Sequence, residues 1–337
     1  MALVSLGDMA YQFALSRQNT TLKQGLQTST QELTTGVSAD LGARLSGDFG
    51  PLSAMERSLA TIQSYSVATT EARLTADAMQ VALGNVTDNM RGLQEPLLLA
   101  GSEPQATLIR TAGIDAQQKF AQAVSTLNSS VAGRSLFAGS ATDTAALVDS
   151  ETILAHLRAL IGAQATADGV ADAVNAWFHD AGGGFETVAY QGAAHAAGPM
   201  RLADDQILTL DITAESSGIR DVLAGLATAA LLADDDLLEG DPTQRSALAK
   251  HSAEALLSAE DTIASLRADL GAKQERIEDI EVQNATAVTA LEIARADLIG
   301  VDPYEAATRL EALQTQIETL YTVTSRVSRL NLADFLR

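Results

Sequence analysis

The side chains of this sequence best suited to chemistry are four histidines and a run of aspartates, and their spacing limits what they can do. His156, His179, His195 and His251 are the only histidines in 337 residues. None stands at the short paired spacing that zinc ligands use, so they read as surface or helix-face side chains. His179-Asp180, beside the single tryptophan Trp177, comes nearest to a site but lacks a third partner. The stretch from Asp234 to Asp241 is acidic enough to suggest calcium. A calcium loop, however, alternates its oxygen ligands around a central glycine and closes on a glutamate. Asp234-Asp235-Asp236 followed by Leu237-Leu238 has no such order and reads as a solvated turn leading to a helix cap. Gly182-Gly183-Gly184 has neither the lysine nor the strand–helix setting of a phosphate loop, so it reads as a hinge. The chain has no cysteine, which excludes disulfides, zinc–thiolate sites and cysteine nucleophiles together. Sequons begin at Asn19, Asn85, Asn128 and Asn284, three of them inside long helical patterns, and they are discounted. The sequence predicts no catalysis, no cofactor and no metal.

Composition narrows the partners. The formal charge is −21 and the pI about 4.4. Phosphate backbones need clustered Lys and Arg, so nucleic acid is excluded as a partner, and an anionic membrane with it. Residues 1–24 lack a basic segment followed by an apolar core, so no Sec signal is expected there. The most apolar run, Val222 to Ala233, is too short for a membrane span and reads as a buried helix. Hydrophobic residues make up 46% of the chain but aromatics only 4%, so alanine and leucine must do the packing, as in closely packed helices.

The elements follow from periodicity. Leu256, Ile263, Leu270, Ile277, Asn284, Leu291 and Leu298 recur every seven residues. Ala76, Met79, Leu83, Val86, Met90, Leu93 and Leu97 keep the same three–four spacing. Such stripes hold one seam of a helix against a partner, and a polar Asn284 on the seam either fixes register or marks a solvent-exposed level. Leu83, Met90, Ile263, Leu270 and Ile277 are the expected bundle core. A first helix over 3–37 carries Leu15, Leu22, Leu26 and Leu33. A last helix from Pro303 carries Leu310, Leu313, Ile317, Leu320 and Val327, and the chain ends on an apolar tail of Leu330, Leu332, Phe335 and Leu336. The polar remainder of the first helix has modest helix propensity, so that stripe needs a partner. Between these lie predicted helices over 52–99, 105–131, 151–161, 167–178 and 216–233, with strand-like alternation at 185–190 and 207–212. The fold class is mainly α: a long antiparallel helical bundle or coiled coil built from the N- and C-terminal regions, with a small central α/β or α+β domain inserted. The predicted division is 1–50, 51–137, 138–240, 241–302 and 303–337, with 138–240 as the insertion.

Three stretches carry a resemblance. Leu33-Thr34-Thr35-Gly36 ends the first helix, Gly133-Arg134-Ser135-Leu136-Phe137-Ala138-Gly139 enters the insertion, and Tyr304 to Leu336 includes Leu310-Glu311-Ala312-Leu313-Gln314-Thr315-Gln316-Ile317. Together they resemble the bacterial flagellin family, and within it the branch that joins hook to filament. The likeness spans roughly residues 1–140 and 242–337. It departs at Val37 to Gly50, which keeps Asp40 and Asp48 but not the family's turn pattern.

The resemblance implies a structural protein of the flagellum whose ends form inner tubes and whose middle faces outward. It implies self-association in a ring or helical assembly, with other hook-associated proteins and flagellin as neighbours. It further implies secretion through the flagellar type III apparatus without a cleaved signal peptide, and a cytosolic export chaperone at the C-terminal segment. On this reading Leu15, Leu22, Leu26, Leu33, Leu310, Leu313, Ile317, Leu320 and Val327 form the assembly interface. Two alternatives stand beside it: a filament flagellin, and a secreted or signalling coiled-coil protein whose middle domain carries the function.

Overall fold

The structure, a computed structural model, describes residues 6–162 and 164–335; for residues 6–8 and 327–335 it describes the backbone alone. Helices dominate: α1 (Leu6–Thr35), α2 (Leu41–Arg44), α3 (Gly50–Ser102), α4 (Ala106–Leu127), α5 (Ser150–Ile161), α6 (Ala167–His179), α7 (Ser217–Leu231), α8 (Pro242–Ile299) and α9 (Pro303–Phe335). The described strands are two antiparallel ladders, β1 (Ser130–Val131) with β2 (Arg134–Ser135) and β3 (Met200–Arg201) with β4 (Ile207–Leu208). This is the mainly helical fold with a small mixed middle that the periodicity predicts. The chain forms two compact units, a terminal one from residues 1–63 and 286–337 and a central one from residues 64–285.

In the central unit, α3 and α8 run antiparallel. Arg73 meets Glu281 at 3.4 Å, Gln274 donates to Asp77 at 2.6 Å, Arg91 donates to Glu260 at 2.7 Å, and the Ser246 hydroxyl donates to the Ala100 carbonyl at 2.9 Å. The heptad positions make the seam: Leu83, Met90, Ile263, Leu270 and Ile277 are fully buried, along with Ala76, Val86, Leu93, Leu97 and Leu256. Each of these side chains larger than alanine contributes about 2 kcal/mol by leaving water. Asn284 is buried on the same seam, and its amide donates to the Leu202 carbonyl at 2.9 Å. It therefore satisfies a loop carbonyl instead of facing solvent. The predicted apolar run becomes α7, buried along nearly its whole length, as expected of a helix apolar all round.

Several local expectations are corrected. The helix over 105–131 stops at Leu127, because Asn128 turns to the loop. Its amide donates to the Leu147 carbonyl at 2.9 Å and its oxygen accepts from the Leu147 N–H at 2.8 Å. Residues 185–190 form no strand. Phe185–Ala189 is a π-helical turn in which the Tyr190 N–H reaches the Phe185 carbonyl at 2.8 Å. Packing decides it: Phe185 and Tyr190 stack, and Phe185 lies edge-on to Trp177. The strand at 207–212 is paired only over Ile207–Leu208. Gly182-Gly183-Gly184 is a packed turn and not a hinge, since a methyl group at Gly184 would overlap the Trp177 indole.

Carboxylates start the long helices where the sequence placed caps. Asp241 accepts from the Thr243 N–H at 2.8 Å ahead of Pro242, and Asp302 accepts from the Tyr304 N–H at 2.8 Å ahead of Pro303. Proline fits the first helical position because its missing N–H would be unpaired there anyway.

Candidate functional site: the paired terminal helices

Within the terminal unit, α1 and α9 pack as an antiparallel pair. Glu32, late in α1, meets Arg309, early in α9, at 3.5 Å. Gly25 lies against Leu313, and at the other end Leu15 and Leu320 line one groove. Leu15, Leu22, Leu26, Leu310, Leu313 and Ile317 are partly buried, Leu320 is buried and Leu33 is exposed. The Val327 side chain and those of Leu330, Leu332, Phe335 and Leu336 lie outside the described residues. Stripe residues named for contacts between copies thus meet within one chain.

Polar contacts fix the ends of this pair. Glu32 is buried; one carboxylate oxygen accepts from the Ala39 N–H at 3.1 Å and the other faces Arg309. The loop after α1 is tied to the turn between α8 and α9. The Ser38 N–H donates to the Ile299 carbonyl at 2.9 Å and the Val301 N–H to the Gly36 carbonyl at 3.1 Å. Arg44 donates to the Leu298 carbonyl at 3.3 Å, placing a cation at the negative end of α8. Across the pair, hydrogen bonds from Lys23 and Asn19, with the Lys23 charge, hold the Tyr321 phenol below its ordinary pKa.

Aromatic side chains are divided between the units. Tyr11, Phe13, Phe49, Tyr304 and Tyr321 in the terminal unit are all exposed, Phe13 by 72% and Tyr304 by 82%. In the central unit Phe120, Phe137, Trp177, Phe178, Phe185 and Tyr190 are buried, and the half-buried Tyr65 donates to Asp204 at 2.9 Å. Charge is divided too. The terminal unit's sequence carries 9 basic and 12 acidic residues, net −3; the central unit's carries 13 and 31, net −18. Between α1 and α9 opens a groove of about 470 Å³ lined by Tyr11, Ala14, Leu15, Gln18, Thr315, Gln316, Thr319, Leu320 and Val323, with no charged side chain among them. The sequence pattern pointed to the leucines and missed this aromatic exposure. Its available signal was Phe13, which falls off the leucine stripe of the first helix.

Two of the four histidines and two residues of the aspartate run are engaged within the chain in ion pairs and a helix cap. His179 pairs with Asp221 of α7 at 2.8 Å rather than with Asp180, and His251 of α8 pairs with Asp168 of α6 at 2.7 Å. In the aspartate run, Asp235 binds Arg110 at 3.2 Å and approaches the buried Arg245 at 3.7 Å, while Asp241 caps α8. Among the described residues no group of three or more His, Asp or Glu is placed to hold a metal ion, and no helix is long and apolar enough to cross a membrane. At the entry to the middle, Gly139 adopts φ +63°, and a side chain there would overlap the His195 carbonyl. The Ala193 N–H donates to the Ala138 carbonyl, and the Ala214 N–H to that of Phe137, each at 2.9 Å. Leu136-Phe137-Ala138-Gly139 is therefore a tightly packed junction.

Among known proteins, residues 254–336 match the family described as the bacterial flagellin C-terminal helical region. Among solved structures, the chain resembles one assigned as a flagellar hook-associated protein from Vibrio parahaemolyticus, with 13% identity and a TM-score of 0.52, over 75% of this chain and 99% of that one. The likeness is one of fold. Bacillus cereus FlgL gives 16% identity and a TM-score of 0.48 over 71% of this chain and 96% of that one. No curated protein matches the sequence.

Proposed function

We propose that this chain, which carries a bacterial flagellin C-terminal helical region at residues 254–336, is a structural component of the flagellum of the hook-associated protein 3 kind. It would join hook to filament by helix packing between copies and with neighbouring flagellar proteins, without catalysis. The observation that carries the reading is that the matched region ends in α9, and α9 is paired with α1 in a unit of small net charge whose described aromatics are all exposed. Exposed aromatic side chains on a unit of small net charge suit burial against another protein. The tightly packed Leu136-Phe137-Ala138-Gly139 entry supports a junction protein. On this reading the chain leaves the cell through the flagellar type III apparatus with no cleaved signal peptide, escorted by a cytosolic chaperone bound at the C-terminal segment.

Electron microscopy of cells lacking the protein tests this reading. Hooks without filaments are expected; normal filaments overturn it. A chain lacking residues 304–337 should give the same bare hooks while the purified protein stays helical. A filament flagellin is the second reading, favoured by the same C-terminal match. Copy number in isolated flagella separates the two: a ring's worth for a junction, thousands for a filament.

A further inference from the structure

The terminal helix pair carries a projection on one face and a receptacle on another. Phe13 stands 72% exposed on α1, while Tyr11, two residues earlier, lines the uncharged α1–α9 groove. Two residues are about 200° around a helix, so projection and groove point in different directions. We propose that the Phe13 ring of one copy seats in the α1–α9 groove of a second copy, between Leu15, Thr319, Leu320 and Val323. This rests on the assembly reading above and gives the assembly a specific contact.

A second copy is the occupant favoured by charge and shape. The chain is acidic overall, and two copies meet with least repulsion through the unit carrying −3 of the −21. The groove offers no charged side chain to recognise an ionic ligand. Its volume of about 470 Å³ exceeds what one aromatic ring fills, leaving room for the helix backbone that bears it. The geometry also sets the type of assembly. When one copy's Phe13 is inserted, its own groove remains open for the next copy. Such a head-to-tail contact does not close as a two-fold dimer; it propagates into a ring or a helix.

The absence of cysteine makes the test clean. Full-length Ser16→Cys chains, whose cysteine lies one helical turn from an intact Phe13 ring, and full-length Thr319→Cys chains are mixed and oxidised at rising concentration. A disulfide-linked heterodimer is expected to exceed both homodimers by at least tenfold; equal amounts of all three, or no cross-linked product at any concentration, overturn the proposal. Complementation gives an independent check by sedimentation. Phe13→Ala has a groove and no projection; Thr319→Arg has a projection and a blocked groove, with Gln18→Arg as a second blocked form should α9 lose helicity by circular dichroism. Each alone is expected to remain a monomer, and Phe13→Ala mixed with a blocked form to stop at a one-to-one dimer. Self-association of Phe13→Ala equal to the parent overturns the contact, as does loss of chaperone binding with self-association unchanged. Either result leaves the flagellar reading standing, since that fails only if cells lacking the protein build normal filaments.

Discussion

The terminal and central units are both built from helices with apolar stripes, yet they use their side chains in opposite ways. The central unit buries six of its seven aromatics, the seventh being half-buried, and carries −18 of the formal charge. The terminal unit exposes every described aromatic and carries −3. A buried aromatic core with a charged surface describes a subunit that is stable and stays soluble. Exposed aromatics on a pair of helices of small net charge describe a surface with something left to bury. Hydrophobic periodicity is common to both units; the placement of aromatics and charge separates them.

Substitutions can break this comparison. The largest contrast is between two phenylalanines. Phe120 is fully buried, and Phe120→Ala should cost about 4 kcal/mol by lost burial and a residual cavity. Phe13→Ala should change monomer stability by no more than about 0.5 kcal/mol while removing self-association. Urea unfolding of both variants checks the pair, and equal losses of stability would erase the distinction between units. Next in size is Glu32→Ala, which removes the acceptor of the Ala39 N–H and loosens Arg309, still held by Glu305, and should cost about 1 kcal/mol. The loss should be confined to the terminal unit, seen as faster amide exchange in α1 and α9 with α4 and α7 unchanged.

An effect of similar size and opposite sign is expected in the central unit. Ala132 sits at φ +51° beside Gly133 at φ +78° in the β1–β2 turn, a backbone that favours Gly or Asn at both places. Ala132→Gly should stabilise by about 1 kcal/mol, raising the thermal midpoint of the central unit. The smallest concerns acid. The Arg91 hydrogen bond, then that from Gln94, holds the Glu260 carboxyl below its ordinary pKa. Its folded pKa is depressed, so its contribution is complete above the ordinary carboxylate range and is lost as pH falls through the lowered value. Arg91→Gln should therefore narrow the difference in thermal midpoint between about pH 6 and pH 3.

Much of the fold was legible because Leu256, Ile263, Leu270 and Ile277 repeat on one helix face, and a seven-residue repeat has one simple structural solution. Asp241-Pro242 and Asp302-Pro303 announced helix starts by local chemistry that needs no distant partner. The π-helical turn at Phe185–Ala189 was not legible, because a short apolar run alternates equally well as a strand until Trp177 and Tyr190 pack on it. His179 stands beside Asp180 in the sequence, but the carboxylate it meets is Asp221, 42 residues on. At the candidate site the leucine stripes of α1 and α9 were visible. Their partner was not, because a stripe looks the same whether it meets its own chain or another.

Amide hydrogen exchange of the full-length chain, measured dilute and then at assembling concentration, tests the division between units most directly. The account predicts that α1 and α9 exchange much faster than α4 and α7 in dilute protein and gain at least tenfold protection on assembly, while α4 and α7 are unchanged. Equal protection of all four helices in dilute protein, with no change on concentration, would contradict it.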